Sequence, residues 1–370
     1  MFLKKLLLRN YRNYSELLIA FHNHINLIYG GNAQGKTNIL ESIFVAATAR
    51  SHRTNEDINL ISWEEPYTYI KAEFIRKNEP HQIEVGIAKG EKQLKLDGKV
   101  LPRRAELIGN LVVVIFSPDD LELVKGEPSQ RRRFIDLEIA QISAKYLFTL
   151  QQYYRVVKQR NFAYRQVKYE NADEQTVKVW NDQLVEYGTE IIYTRIQTIR
   201  TLNELIQQNY QRITGTAQTL TLFYETPFSE SDYLNPKQLS QSFRQRLIEI
   251  RKKELELAMT LVGPHRDDIL FFIDGHDLKS FGSQGEQRSA VLALKLAEVE
   301  YMRTQLGEPP LVALDDFSSE LDDSRIRYIS NALIKQQCQT FITSVHPIQF
   351  QDSNSVAIYR IQDGKLCDQQ

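Results

Sequence analysis

The residues most able to do chemistry lie in "INLIYGGNAQGKTNILESIF", Ile25 to Phe44, where Gly30 is followed by four residues and then Gly35-Lys36-Thr37. Glycines at this spacing let backbone N–H groups turn inward around an anion. A helix start adds its positive dipole end, a lysine reaches β/γ-phosphates, and a hydroxyl can face Mg²⁺. Gly30, Gly31, Asn32, Ala33, Gln34, Gly35, Lys36, Thr37 and Asn38 are therefore the candidate phosphate cradle. An apolar strand before the loop and an amphipathic helix after it disfavour a chance glycine turn. A second candidate closes an apolar run, "PPLVALDDFSSELD". Asp315 is placed to hold Mg²⁺ with Thr37, and Asp316 to orient or deprotonate an attacking water. The bland alternative is a pair of aspartates capping a turn. A third stretch, "FGSQGEQRSAVLALKLAE", opens a helix at Ser283-Gln284-Gly285 with no phosphate of its own to grip; its plain reading is a Ser/Gly N-cap.

The elements that must position these residues form a split α/β pattern. Up to about residue 120 the sequence alternates strands with one helix, "TNILESIFVAATAR". Its β-rich runs "TYIKAEFIRK", "HQIEVGIAK" and "KQLKLDGKVL" form an antiparallel annex with an Asp97-Gly98 turn. "NLVVVIFSPDDL" is a buried strand stopped at Pro118. From Ser129 to Thr214 there is no proline and only Gly188, and helical periodicity predicts two long helices joined near "NADEQ". Another helix, "PKQLSQSFRQRLIEIRKKELELAM", leads back to α/β sequence. The expected organisation is an α/β first part over 1–125, an inserted helical lobe over 126–257, and an α/β second part over 258–370. About 280 residues separate Lys36 from Asp315, far more than a compact single-domain kinase or GTPase needs.

Composition sets outer limits. The 370 residues are 42% apolar and 25% charged, with 46 Lys+Arg against 47 Asp+Glu, so contact with nucleic acid requires a local basic patch. Two cysteines, Cys338 and Cys367, make neither a disulfide framework nor a metal spacing. "MFLKKLLLRNYRNY" is too short in its apolar run for a signal peptide, and the chain reads as soluble and cytoplasmic, with no membrane partner.

The order of motifs resembles the ABC-type ATPases: phosphate loop, inserted helical lobe, Ser-x-Gly signature at Ser283 and Gly285, then the apolar strand ending in Asp. "SSELD" matches the D-loop at Ser319, Leu321 and Asp322, and His346 in "FITSVHP" matches the switch histidine that senses the γ-phosphate. Within that group the chain is most similar to the RecF family along its whole length. The likeness rests on "LRNYRNY", "FSPDDLELVKGEPSQRRRFID", "GPHRDDI", "SQGEQRSAVLALKLAE" and "LDDFSSELD". The resemblance implies an ABC-type head interrupted by a helical lobe, with ATP and Mg²⁺ as cofactors. It also implies a repair protein that binds double-stranded DNA and single/double-strand junctions or gaps, acts at gaps and stalled forks, helps RecO and RecR load RecA, and takes part in replication restart and SOS induction. The alternative is the ATPase subunit of an ABC-type transporter, which would not account for "GPHRDDI". The inserted helices are too short for structural-maintenance-of-chromosomes coiled coils, and "NADEQ" lacks the cysteines of a zinc hook.

In heads of this kind Ser283 and Gly285 would complete the nucleotide site of a second copy, so ATP is expected to drive a homodimer. Position 316 carries Asp where transporter heads usually carry Glu, which sets the carboxylate back by about 1.5 Å. Weak, slow, DNA-dependent ATPase activity that acts as a switch is the expectation. DNA candidates are Arg131, Arg132 and Arg133 with Lys125, then Arg251, Lys252 and Lys253, and Arg103 with Arg104. Arg12 is expected near the nucleotide, with Arg53 and His52 as weaker candidates. The aromatics of "QQYYRVVKQRNFAYRQVKYE" are assigned to core packing by their helical spacing, with base stacking as the alternative.

Overall fold

A computed structural model describes residues 1–316, 328–329, 332–347 and 356–369. In chain order the first elements are β1 (Phe2–Tyr11), β2 (Tyr14–Ala20), β3 (Ile25–Tyr29), α1 (Lys36–Thr48), β4 (Tyr67–Arg76), β5 (Glu79–Ala88), β6 (Glu91–Leu96), β7 (Lys99–Val100) and β8 (Val113–Phe116). A helical stretch follows: α2 (Glu122–Lys125), α3 (Pro128–Ile142), α4 (Ala144–Glu170), α5 (Gln175–Lys178) and α6 (Asn181–Thr214). Then come β9 (Leu220–Glu225), α7 (Pro236–Leu257), β10 (Asp268–Ile273), β11 (His276–Asp277), α8 (Leu278–Phe281) and α9 (Gln284–Leu306). The chain closes with β12 (Leu311–Leu314), β13 (Thr340–Ser344), β14 (Val356–Gln362) and β15 (Lys365–Gln369).

Two compact units divide the chain. One contains Met1–Asp120, Arg212–Gly215 and Val291–Gln370; the other contains Leu121–Gln211 and Thr216–Ala290. The first unit has two six-stranded sheets. In the order β2-β1-β4-β5-β6-β7 all pairings are antiparallel, and β4 alternates buried with more exposed positions, as a sheet with two unlike faces requires. Asp97 and Gly98 both take positive φ in the tight β6–β7 turn that their sequence predicts.

The other sheet, β15-β14-β3-β13-β12-β8, is parallel except for its edge strand β15. Every residue of β8, β12 and β13 is buried, the mark of parallel strands covered on both faces. Because β3, β13, β12 and β8 run parallel as consecutive neighbours, the loops that leave their carboxyl ends emerge along one edge. Ligands gather at such an edge in open α/β sheets.

The second unit is mainly helical, with the small sheet β11-β10-β9. The long helix expected from Arg131 to Glu170 breaks at Ser143, whose side chain accepts from the Tyr146 N–H as the N-cap of α4. Asn235 caps α7 in the same way, with Pro236 at its first position. The division between units falls within α9, at Ala290, and not at the expected boundary of Leu257. Residues after 257 belong with the helices because β10 pairs with β9 over six residues and Asp268 is bound to Arg131. The α/β class with an inserted helical lobe is as expected.

Candidate nucleotide-binding site

The phosphate loop leaves β3 and is braced from several sides. A Cβ at Gly30 would lie 2.2 Å from the Ile361 carbonyl oxygen, so only glycine fits there. Gly35 has φ 109°, and a Cβ on it would meet the Asn13 and Tyr14 side chains at 2.6 to 2.7 Å. The Tyr14 hydroxyl donates to the Gly35 carbonyl at 3.0 Å and Asn13 Nδ2 to the Gln34 carbonyl at 3.0 Å. Asn38 Nδ2 donates to Asn13 Oδ1 at 2.8 Å, and the Gly364 N–H to the Gln34 carbonyl at 3.3 Å. No side chain caps the start of α1, which leaves its first-turn N–H groups facing the loop. Lys36 Nζ donates to the carbonyls of Gly30 and Gly31 at 2.8 and 2.7 Å, which folds the lysine over the cradle. Burial lowers its pKa, against the opposing charges of Asp316 and Asp315.

The acidic end of β12 meets this loop. Thr37 Oγ1 donates to Asp315 Oδ1 at 2.8 Å, and so does Thr343 Oγ1 from the intervening strand β13. The Asp315 N–H bonds the Phe116 carbonyl of β8 at 2.8 Å, and the Asp316 N–H bonds Thr343 Oγ1 at 2.8 Å. Burial raises the Asp315 pKa, with the Thr343 and Thr37 hydroxyls opposing it. A hydroxyl and a carboxylate side by side are hard oxygen donors of the kind Mg²⁺ takes when phosphates supply its other ligands. Among the described residues no group of three or more His, Cys, Asp and Glu forms a self-sufficient metal cage. Asp316 follows directly with φ 47°, and His346 is exposed beyond the carboxyl end of β13. Ser319, Leu321 and Asp322 lie outside the described residues.

Arg12 reaches α1 and not the loop itself. Its Nε and Nη2 make a two-pronged contact with buried Glu41 at 2.9 and 2.6 Å, and Ser51 Oγ donates to the same carboxylate at 2.6 Å. Burial alone would push Glu41 up; the hydrogen bonds from Arg12 and Ser51 and the charges of Arg12 and Arg53 outweigh it and lower its pKa. Arg53 Nη1 lies 3.0 Å from Asn38 Oδ1 and 3.7 Å from Glu41. His52 packs edge-on against Phe44. The residues that sequence reasoning missed are Asn13, Tyr14 and Thr343. The first two stand inside "RNYRNY", beside the one residue singled out there.

Ser283, in the second unit, is the N-cap of α9. Its N–H and Oγ both lie 2.8 Å from Glu286 Oε2, and the Glu286 N–H returns to Ser283 Oγ at 3.3 Å. This is a capping box. The hydrogen bonds from Ser283 and Gln218 lower the Glu286 pKa. Nothing lies within 4 Å of a Cβ built on exposed Gly285.

A family model described as the RecF/RecN/SMC N-terminal domain matches residues 2–366. The DNA replication and repair protein RecF of Oceanobacillus iheyensis is 38% identical over 98% of this chain and 99% of its own, and that of Bacillus subtilis 38% over 99% and 100%. The chain belongs to the RecF family. A solved structure of the recombination mediator protein RecF with ATP, of the RecFOR pathway, superposes with TM-score 0.92 at 32% identity, covering 100% of this chain and 97% of that one. An SMC head bound to the C-terminal winged-helix domain of ScpA shares the fold alone, at TM-score 0.56 and 15% identity. The fold is thus that of an ABC-type head with an inserted helical lobe.

Two stretches that carry the RecF resemblance have structural work within the helical unit. Arg131, expected to face DNA, is 5% exposed and donates Nε and Nη2 to Asp268, both at 2.7 Å. Its place on α3, in line with buried Ile135, Glu138 and Ile139, turns it inward; its charge is spent on Asp268. Arg132 Nη1 donates to the Asp267 carbonyl at 2.8 Å, while Arg133 is exposed. "GPHRDDI" forms the other half of this knot. His265 Nδ1 lies 2.6 Å from Tyr153 Oη, Arg195 donates to the Pro264 carbonyl and to Asp136, and the Tyr224 hydroxyl donates to Asp267. Burial pushes His265 down to about 4 and Asp267 up to about 7. Arg251 is paired with Glu174, Lys252 and Lys253 are exposed, and Arg104 donates to the Thr48 carbonyl in the first unit. Lys125 and Arg103 are exposed.

Proposed function

We propose that this RecF-family chain is an ATP-switched DNA-binding protein of recombinational repair and replication restart, acting in the cytoplasm at gaps and stalled forks. It would work with RecO and RecR to load RecA and so contribute to SOS induction. The observation that carries the reading is the 2.8 Å bond between Thr37 and Asp315, which joins a glycine-braced phosphate loop to its acidic strand. That pairing sits in a chain matched over nearly its whole length by proteins named for DNA replication and repair. The same full-length match disfavours a transporter subunit. Among the described residues no helix is long and apolar enough to cross a membrane.

In this reading the loop from Gly30 to Asn38 surrounds the phosphates of ATP and Lys36 leaves its two carbonyls for the β/γ-phosphates. Thr37 and Asp315 would hold Mg²⁺, whose charge offsets that of the phosphates. Asp316 orients the attacking water, and His346 senses the γ-phosphate. Ser283 and Gly285 meet the nucleotide of a second copy, so ATP joins two chains and slow hydrolysis releases them. Arg132, Arg133, Lys125, Lys252, Lys253 and Arg103 remain as phosphate contacts on DNA; Arg131 does not. Gel shifts on a gapped duplex test this. Wild type binds more tightly with ATP than without, and Lys36→Met and Ser283→Arg lose that difference. ATP-independent binding by wild type contradicts the switch.

A further inference from the structure

The longest exposed aromatic display in the helical unit lies along α4. Phe148, Tyr154, Phe162 and Tyr169 are 53%, 44%, 54% and 69% exposed, in a helix whose Tyr146, Tyr153 and Tyr164 are buried. The helical spacing that suggested core packing is therefore right for Tyr153 and Tyr164 and wrong for Tyr154, Phe162 and Tyr169. Positions 148, 151, 155, 158, 162, 165 and 169 recur at alternating steps of three and four, so they share one face. They read Phe, Gln, Arg, Lys, Phe, Arg, Tyr, and all are exposed. From Ala144 to Tyr169 the helix has no acidic residue; Glu170 is its first. Lys168 adds a cation 5.0 Å from the Tyr169 ring centroid. At 1.5 Å per residue the strip from Phe148 to Tyr169 is roughly 32 Å long.

We propose that this face of α4 binds single-stranded nucleic acid, with Phe148, Phe162 and Tyr169 stacking on bases and Arg155, Lys158 and Arg165 meeting the phosphates between them. The inference rests on the DNA-binding reading above and assigns it a surface and a strand type. Large exposed rings interleaved with cations, on a helix stretch without acidic residues, match what a single strand offers, a π-face and a phosphate at each step. Duplex DNA satisfies the cations but leaves the rings idle, because its bases are already stacked on one another. A second copy of the same face is disfavoured by charge, since an isologous contact would set Arg155, Lys158 and Arg165 against their own kind. In a gap, α4 would hold the unpaired stretch.

The test uses the full chain with Mg-ATP and two fluorescein-labelled probes, oligothymidylate of about 30 nucleotides and a duplex of the same length, read by anisotropy. Phe162→Ala with Tyr169→Ala should weaken oligothymidylate binding by about tenfold or more, given the contribution of a stacked base, and leave duplex binding unchanged. Arg155→Gln, Lys158→Gln and Arg165→Gln together should reduce the slope of log K against log salt for oligothymidylate by about 2, three phosphates at about 0.7 each. All five side chains are exposed, and circular dichroism checks that the variants fold. Equal loss of both probes in the aromatic variant overturns the single-strand assignment. Wild-type affinity in both variants means that the face serves something else, such as an acidic protein, and overturns the proposal while the DNA reading stands. A wild type that binds neither probe overturns both.

Discussion

The helices beginning at Lys36 and at Gln284 both offer N-termini suited to an anion, yet the chain treats them differently. At α1 no side chain caps the first turn, and Ile361 crowds the cradle at Gly30 as Asn13 and Tyr14 crowd it at Gly35, two positions suited to glycine. At α9 the capping box between Ser283 and Glu286 already occupies two donors, the N–H groups of those two residues. On the proposed function, the first terminus receives phosphate directly. On the same reading the second must give up Glu286, whose carboxylate would otherwise repel the phosphate, before Ser283 could face one. The units that hold them share one device, an arginine paired with a buried carboxylate: Arg12 with Glu41 in the first, and Arg131 with Asp268 and Arg195 with Asp136 in the second.

That contrast can be broken at several points. The largest expected effect is on folding: Arg131→Ala leaves Asp268 buried without its cation and should lower unfolding free energy by about 3 to 5 kcal/mol, read from urea midpoints. A fully stable variant with weakened DNA binding would restore Arg131 to the DNA surface. Next, Lys36→Met should weaken a fluorescent ATP analogue by about a hundredfold, as expected for charge-assisted contacts, while urea midpoints stay near wild type. Asp267 supplies a pH test of the buried network. Its pKa rises from 3.8 to about 7 in the fold, so its protonated form stabilises the fold fully below about pH 4, and that contribution is lost as pH rises through 7. Asp267→Asn keeps a neutral side chain, so its stability relative to wild type should grow by on the order of 2 kcal/mol from pH 5 to pH 8. A constant difference would contradict the burial of this carboxyl. The smallest effect belongs to the cap: Ser283→Ala should cost about 1 kcal/mol in urea unfolding.

Much of this was legible in the residues because local chemistry dictates it. The phosphate loop follows from glycine spacing and flanking periodicity, and Asp315 from an apolar run that reads as a strand ending in an acidic residue. Their adjacency was not readable from spacing, since about 280 residues intervene; it depends on β13 lying between β3 and β12 and supplying Thr343. Arg131 was misread because a charge run does not announce its inward member. Its spacing to Ile135 and Ile139 held that information, but its partner Asp268 stands 137 positions away. The α4 aromatics misled for a related reason: helical spacing is shared by a core face and an exposed one, and the neighbours that bury Tyr153 and Tyr164 come from elsewhere in the chain. The split within α9 could not be anticipated, because it depends on β10 returning to β9.

The central claim is that two unlike helix starts, from two copies of the chain, complete one nucleotide site. Sedimentation velocity with Mg-ATP tests it directly. Wild type should shift to dimer mass, Lys36→Met and Ser283→Arg should each remain monomeric, and an equal mixture of the two should recover dimer, since a mixed pair contains one intact site. A Ser283→Arg chain that dimerises with ATP as wild type does would contradict the account.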